Sequence, residues 1–89
     1  QRRIAHLLVS LAAEVGEQDE KRIIIQKGIT HEDLANLTGL SRVRVTTILN
    51  NFERAKIIKK KRGVLTIIDS VKLRTVLDGT ASLLLESSF

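Results

Sequence analysis

The residues best suited to chemistry in this chain are the basic ones between positions 41 and 62. This stretch holds eight basic residues and one acid, a charge of +7, so the rest of the chain carries −2 of the net +5. The basic residues are Arg42, Arg44, Arg54, Lys56, Lys59, Lys60, Lys61 and Arg62. Such a segment on a slightly acidic body is typical of a face that binds a polyanion, although a solvated lysine-rich hairpin has the same composition.

The chain lacks the residues that other kinds of chemistry require. The chain has no cysteine, which excludes disulfides, thiolate zinc sites and a cysteine nucleophile. Its two histidines, His6 and His31, are far apart, and no nucleophile–base pair or glycine-rich phosphate loop is present. We therefore expect no catalytic residue, no metal and no cofactor in this domain, and we expect His31 to lie exposed at a helix start, near DNA. The chain has only two aromatic residues, and this scarcity argues against recognition by base stacking.

The chain is long enough for one small domain and has no apolar run that could span a membrane. It begins at Gln1 and contains no methionine, so we expect an excised domain with a partner domain upstream. The absence of cysteine and of a signal peptide is consistent with a cytoplasmic protein.

The first half of the chain begins with an amphipathic helix. Its apolar positions recur at helical spacing, at Ile4, Leu7, Leu8, Leu11, Ala12 and Val15. Gly16 ends this helix, and the polar residues 17–21 are interpreted as a surface loop. Residues 23–25, all isoleucine, predict a short strand closed by Gly28.

Two helices joined by a tight turn follow. Thr30 predicts an N-cap, with Asp33 in a capping-box position, and Leu34, Ala35 and Leu37 supply the apolar face of the second helix. Gly39 provides the turn and Ser41 caps the third helix, whose buried stripe is Val45, Ile48, Leu49 and Phe52. A small residue at 35 and a glycine at 39 are what a helix-turn-helix requires where its helices cross.

After residue 56 the pattern changes to strands. Residues 57–60 and 64–68 flank a Lys61-Arg62-Gly63 turn and predict a hairpin. Asp69 or Ser70 can cap a last helix, whose apolar residues are Val71, Leu73, Val76 and Leu77, with Gly79 as an interruption. In segment 80–89, Leu83–Leu85 either dock against Leu7, Leu8 and Leu11 or form a self-association patch.

These elements predict an α+β, mostly helical fold: a winged helix-turn-helix with a two-stranded wing and an extra C-terminal helix. We expect the winged domain to span residues 1–69, with the helix-turn-helix at 30–54 and the wing at 57–68. Residues 70–89 would then form a helical extension packed on the same domain.

The exposed face of the third helix is polar and basic, and its charge gathers at the N-terminal end, where recognition helices meet base edges. We predict base contacts from Arg42, Val43, Arg44 and Thr47. Residues that would contact phosphates, from the helix starts, the third helix and the wing, are Thr30, Ser41, Thr46, Asn50, Lys59, Lys60, Lys61 and Arg62.

Residues 29–69 resemble the DNA-binding domain of the cyclic-AMP receptor protein and fumarate-nitrate regulator (Crp/Fnr) family of bacterial transcription regulators. The matching positions are Ile29-Thr30, Leu34-Ala35, Thr38-Gly39-Leu40-Ser41-Arg42, Val45, Ile48-Leu49 and Ile57-Ile58, and the opening helix matches at Arg3-Ile4-Ala5, Leu8, Leu11 and Ala12.

The resemblance implies sequence-specific binding to double-stranded DNA, with helix 42–54 in the major groove. It also implies an upstream sensor domain with an effector that this chain does not identify, a homodimer in the full-length protein, and contact with RNA polymerase. The family's base-reading positions fall on Arg42, Val43 and Thr47; a Glu is common where Val43 stands and an Arg where Thr47 stands. The alternative is a winged helix used for protein–protein assembly, because a fold does not fix its function.

Overall fold

The computed structural model describes residues 1–25 and 28–78, and within these ranges the chain forms four helices and four strands. The helices are α1 (Arg2–Val15), α2 (His31–Thr38), α3 (Arg42–Arg54) and α4 (Ser70–Asp78). The strands are β1 (Gly16–Asp19), β2 (Arg22–Ile25), β3 (Ile58–Lys61) and β4 (Val64–Ile67). This order confirms the predicted winged helix-turn-helix, with β3 and β4 as the two strands of the wing.

The sheet is larger than the sequence suggested. All its strands pair antiparallel, in the order β1-β2-β4-β3. The interpretation of residues 17–21 as a loop was wrong for Glu17, Gln18 and Asp19, which pair with β2 as an edge strand. β1 is largely exposed, so backbone pairing to the isoleucines of β2 forms it rather than burial of its own side chains, and no side-chain pattern marks it.

Gly16 joins α1 to β1 at a very close approach. A Cβ atom at this position would lie 2.5 Å from the backbone oxygen of Ala12 and 2.6 Å from Cγ2 of Ile23. Gly16 therefore ends α1, as predicted, because only a residue without a side chain lets β1 pass so near the last helical turn.

One hydrophobic core is shared by the four described helices and strands β2, β3 and β4. Its buried residues are Ile4, Ala5, Leu8, Ile25, Leu34, Ala35, Val45, Ile48, Leu49, Phe52, Ile57, Ile58, Ile67, Leu73 and Val76. The buried stripe predicted for α3 is confirmed in full. On α1, Ile4 and Leu8 are buried, whereas Leu7, Leu11, Ala12 and Val15 are half-buried at the margin of the core.

Two residues expected to face the core are exposed. Leu37 is 64% exposed and Val71 is 71% exposed. The core direction of α2 lies between Leu34 and Ala35, and at about 100° per residue Thr38 falls nearer to it than Leu37 does. Val71 lies about 160° around α4 from the buried Leu73, so it faces away from the body of the domain.

The last described helix, α4, packs against α1 and adds Leu73 and Val76 to the core. Asp69 caps it, since its Oδ1 accepts a hydrogen bond from the backbone N–H of Lys72 at 3.0 Å. Gly79 and Leu83–Leu85, with their predicted docking or self-association, lie outside the described residues. None of the described helices is long and apolar enough to cross a membrane.

Candidate nucleic-acid interface

The turn between α2 and α3 has the geometry that a close helix crossing needs. Gly39 ends α2 with φ 76°, in the left-handed region, and its N–H donates to the carbonyl of Ala35 at 2.9 Å. Thr38 stands where an aliphatic residue is more usual, and its hydroxyl donates to the carbonyl of Leu34 at 2.7 Å. The hydroxyl is therefore satisfied inside the turn, beside the half-buried Leu40.

The two helices begin at the predicted caps. Thr30 and Asp33 form a reciprocal capping box: Thr30 Oγ1 accepts from the N–H of Asp33 at 3.0 Å, and Asp33 Oδ2 accepts from the N–H of Thr30 at 2.9 Å. Hydrogen bonding of the Asp33 carboxylate to Thr30, first to its backbone N–H and then to its side chain, holds the pKa of Asp33 below its ordinary value of 3.8. Ser41 Oγ accepts from the N–H of Arg44 at 3.1 Å, which caps α3.

The outward face of α3 consists of Val43, Thr47, Asn50 and Arg54, all exposed. These positions lie opposite the buried stripe of the helix, as its periodicity predicts. Val43 is 77% exposed. The hydroxyl of Thr47 donates to the carbonyl of Val43 at 3.0 Å.

The wing is tied to this face by two hydrogen bonds from Lys60. Its backbone N–H donates to Oε2 of Glu53 at 3.2 Å, and its Nζ donates to Oδ1 of Asn50 at 3.2 Å. Glu53 is the one acid in segment 41–62, and sequence reasoning gave it no role. Its isolation among basic residues was the signal that could have found it.

The tip of the wing is a two-residue turn, since Lys61 and Val64 already pair. Arg62 and Gly63 both have positive φ, 52° and 76°, which is the combination that a tight type I′ hairpin uses. Lys59, Lys61 and Arg62 are exposed, whereas Lys60 is half-buried against α3. The wing therefore presents most of its charge to solvent.

An open groove of about 560 Å³ runs between the start of α2, Arg42 and the wing. Thr30, His31, Arg42 and wing residues 60–65 are among its lining residues. The groove brings together predicted phosphate contacts from the start of α2 and from the hairpin, with the predicted base contact Arg42 of α3 beside them.

His31 differs from the expectation of an exposed residue: it is half-buried, and a hydrogen bond of 2.8 Å joins its Nδ1 to Oγ1 of Thr46. Burial, then the charges of Lys60 and Arg42, lower the pKa of His31 from its ordinary value of 6.5. His31 and Thr46 thus link the start of α2 to α3. Thr46, predicted to contact phosphate, already has this internal partner.

Arg42 and Arg44, both predicted to read bases, lie on opposite flanks of α3. Arg42 faces the wing groove. Arg44 lies toward the start of α1. The outward residues Val43 and Thr47 lie between the two flanks. Within residues 1–25 and 28–78, no three His, Cys, Asp or Glu side chains group as metal ligands would.

The fold has counterparts among known proteins. The family model described as the Crp-like helix-turn-helix domain matches residues 2–76. A comparison with curated protein sequences gave no match.

Several solved structures are similar to the chain. The CO-dependent transcription factor CooA from Carboxydothermus hydrogenoformans, in its imidazole-bound form, is 27% identical with a TM-score of 0.78, covering 85% of this chain and 35% of that one. A CRP/FNR-family transcriptional regulator from Thermus thermophilus is 23% identical with a TM-score of 0.76, covering 86% and 39%. Oxidized CprK in complex with o-chlorophenolacetic acid is 21% identical with a TM-score of 0.79, covering 86% and 33%. The chain thus spans between 33% and 39% of the length of these proteins.

Proposed function

The chain belongs to the family of Crp-like helix-turn-helix domains, the DNA-binding domains of transcription regulators, and we propose that it binds a specific sequence of double-stranded DNA. In this proposal α3 enters the major groove, where Arg42, Val43, Arg44 and Thr47 meet base edges. The lysines of the wing lie along the phosphate backbone and fix the register of the domain without reading sequence.

One observation carries the proposal: hydrogen bonds join the basic wing to α3, the proposed recognition helix. Because Lys60 bonds both Glu53 and Asn50, the cationic hairpin and the outward face of α3 form one continuous surface. When α3 lies in the major groove, Lys59, Lys61 and Arg62 lie beside the adjacent phosphate backbone of the DNA. Thr30 and Ser41, at helix starts with N–H groups that favour anions, extend the same contact surface.

We further propose that this domain is the C-terminal part of a longer cytoplasmic regulator that acts as a homodimer on near-palindromic sites and contacts RNA polymerase. Two half-sites about one helical turn apart would then present matching grooves to two copies of α3. The domain acts by binding, with no reaction of its own.

The proposal is tested by fluorescence anisotropy on a labelled pool of near-palindromic duplexes at two salt concentrations, followed by sequencing of the bound fraction. We expect binding that weakens steeply with salt and an enriched half-site. If the folded domain bound no duplex at low salt, the proposal would be overturned in favour of a winged helix for protein assembly.

A charge-matched pair of variants locates the interface. Lys61→Ala removes a cation at the wing tip and should lower the slope of log K against log salt by about 1, weakening all duplexes alike. Arg22→Ala is the control, because the register of the sheet places Arg22 at the end opposite the wing tip. Equal slopes for Lys61→Ala and the unmodified domain would show that Lys61 does not contact a DNA phosphate.

A further inference from the structure

We propose that Val43 and Thr47 form a methyl-reading pair, and that the half-site of this domain contains thymine recognised through its 5-methyl group. The inference rests on the proposed function, since it requires α3 to lie in the major groove. It assigns a base to the first two turns of the recognition helix, where the residue types common in the family are absent.

Val43 is the apolar half of the pair. Its side chain is 77% exposed, and an arginine precedes and follows it in the sequence. Val43 has no hydrogen-bonding atom in its side chain, so it can recognise a base edge only through apolar contact. A single exposed valine is ordinary on a protein surface, and what distinguishes this one is the residue one turn further along α3.

Thr47 supplies the other half because its one hydroxyl proton is already engaged. The hydroxyl donates its proton to the carbonyl of Val43 at 3.0 Å, and a hydroxyl has one proton to donate. The methyl is the remaining branch of this exposed side chain. Positions four apart on a helix have Cβ atoms about 5–6 Å apart, so the methyl groups of Val43 and Thr47 form one small apolar surface.

The major groove offers one partner for such a surface. Guanine, adenine and cytosine present donors and acceptors there, and thymine alone adds a methyl group. An apolar pair that covered any other edge would leave base donors or acceptors without partners, which is unfavourable. The surrounding cations attract the duplex, and the pair then favours thymine at the positions it covers.

The test uses the enriched duplex with each thymine replaced in turn by deoxyuridine, which removes the 5-methyl group and leaves the Watson–Crick edge unchanged. We expect Kd to rise about three- to fivefold at one or two positions per half-site, as loss of one buried methyl implies. Deoxyuridine at the other thymines should leave Kd unchanged.

Matched variants assign the effect to the two side chains. Thr47→Val keeps the methyl and removes the hydroxyl, so it should retain both the affinity and the deoxyuridine effect. Thr47→Ser keeps the hydroxyl and removes the methyl, and Val43→Ala shortens the partner; each should weaken binding to the thymine duplex and reduce the deoxyuridine effect. Circular dichroism on each variant checks that the fold is retained.

Two results would overturn the inference while the proposed function stands: selective binding that is insensitive to deoxyuridine at every position, or a deoxyuridine effect that Thr47→Ser preserves and Thr47→Val abolishes. The absence of any duplex binding by the folded domain would instead overturn the proposed function, and the inference with it.

Discussion

Helices α2 and α3 begin with caps of the same kind but carry opposite charges in their first turns. α2 begins at the Thr30–Asp33 capping box, with Glu32 and Asp33 in its first turn. α3 begins at the Ser41 cap and has no acid in its first turn; Arg42 and Arg44 stand there instead.

The physics of a helix end explains what this difference does. The N-terminus of a helix carries a partial positive charge, so acids near it stabilise the helix and cations destabilise it, typically by about 0.3–1 kcal/mol each at exposed positions. α2 therefore has the start of a scaffold helix. The start of α3 is less stable than it could be, and its cations add to the helix dipole in attracting an anion.

The largest effect that would test this comparison is expected from Arg42→Ala. Loss of this side chain should weaken binding to the preferred duplex by about 1–3 kcal/mol and relax specificity at one position. The same change should leave the free energy of unfolding unchanged or raise it, because a cation at a helix N-terminus is removed.

Anisotropy titrations measure the change in DNA affinity of Arg42→Ala, and urea unfolding of the same preparation measures the change in its free energy of unfolding. Arg22→Ala serves as the control for a general loss of charge. Unchanged affinity and unchanged specificity would show that α3 is not the recognition helix.

A smaller effect, on stability, is expected from Thr30→Ala. Removal of the N-cap oxygen should lower the free energy of unfolding by about 0.5–2 kcal/mol. Because serine also supplies a hydroxyl oxygen that can accept from the N–H of Asp33, Thr30→Ser should avoid most of this loss. Urea unfolding is the measurement, and equal stability of Thr30→Ala and the unmodified domain would show that the box does not hold α2 in solution.

The smallest effect is a dependence of stability on pH in two steps, one from His31 and one from Asp33, both in the first turn of α2. The pKa of His31 is lowered in the folded domain by burial and by nearby cations, so folding favours the neutral ring. This contribution is complete above the ordinary pKa of 6.5 and is lost as the pH falls through the lowered value. Asp33 behaves in the same direction below its ordinary pKa of 3.8, since folding favours its ionised form.

Urea unfolding across the acid range separates the two steps. His31→Gln should remove the step at higher pH, and Asp33→Asn should remove the one at lower pH. If the step at higher pH persisted in His31→Gln, it would have to come from a group other than His31.

Local features of this fold could be predicted from the sequence, and long-range ones could not. The caps at Thr30 and Ser41 depend on residues three positions away, and the buried stripe of α3 depends on its own periodicity. By contrast, the hydrogen bond between His31 and Thr46 joins residues 15 apart, and that between Lys60 and Asn50 joins residues 10 apart. Such contacts depend on how helices and hairpin pack, which no local pattern encodes.

The candidate site shows the same division. The outward positions Val43 and Thr47 follow from the helical period, so the sequence predicted that they would share a face. That the hydroxyl of Thr47 would bond the backbone, and that Glu53 would hold the wing, required the structure. The exposure of Leu37 was missed because a helix of eight residues is too short for its apolar positions to define one direction.

The two hydrogen bonds from Lys60 to α3 have a mechanical consequence. They set the distance between the wing and α3 before any DNA is present. In the proposed complex the duplex must then adjust its groove width and its bend to match that distance. Base pairs that no side chain touches then influence affinity through how easily they deform.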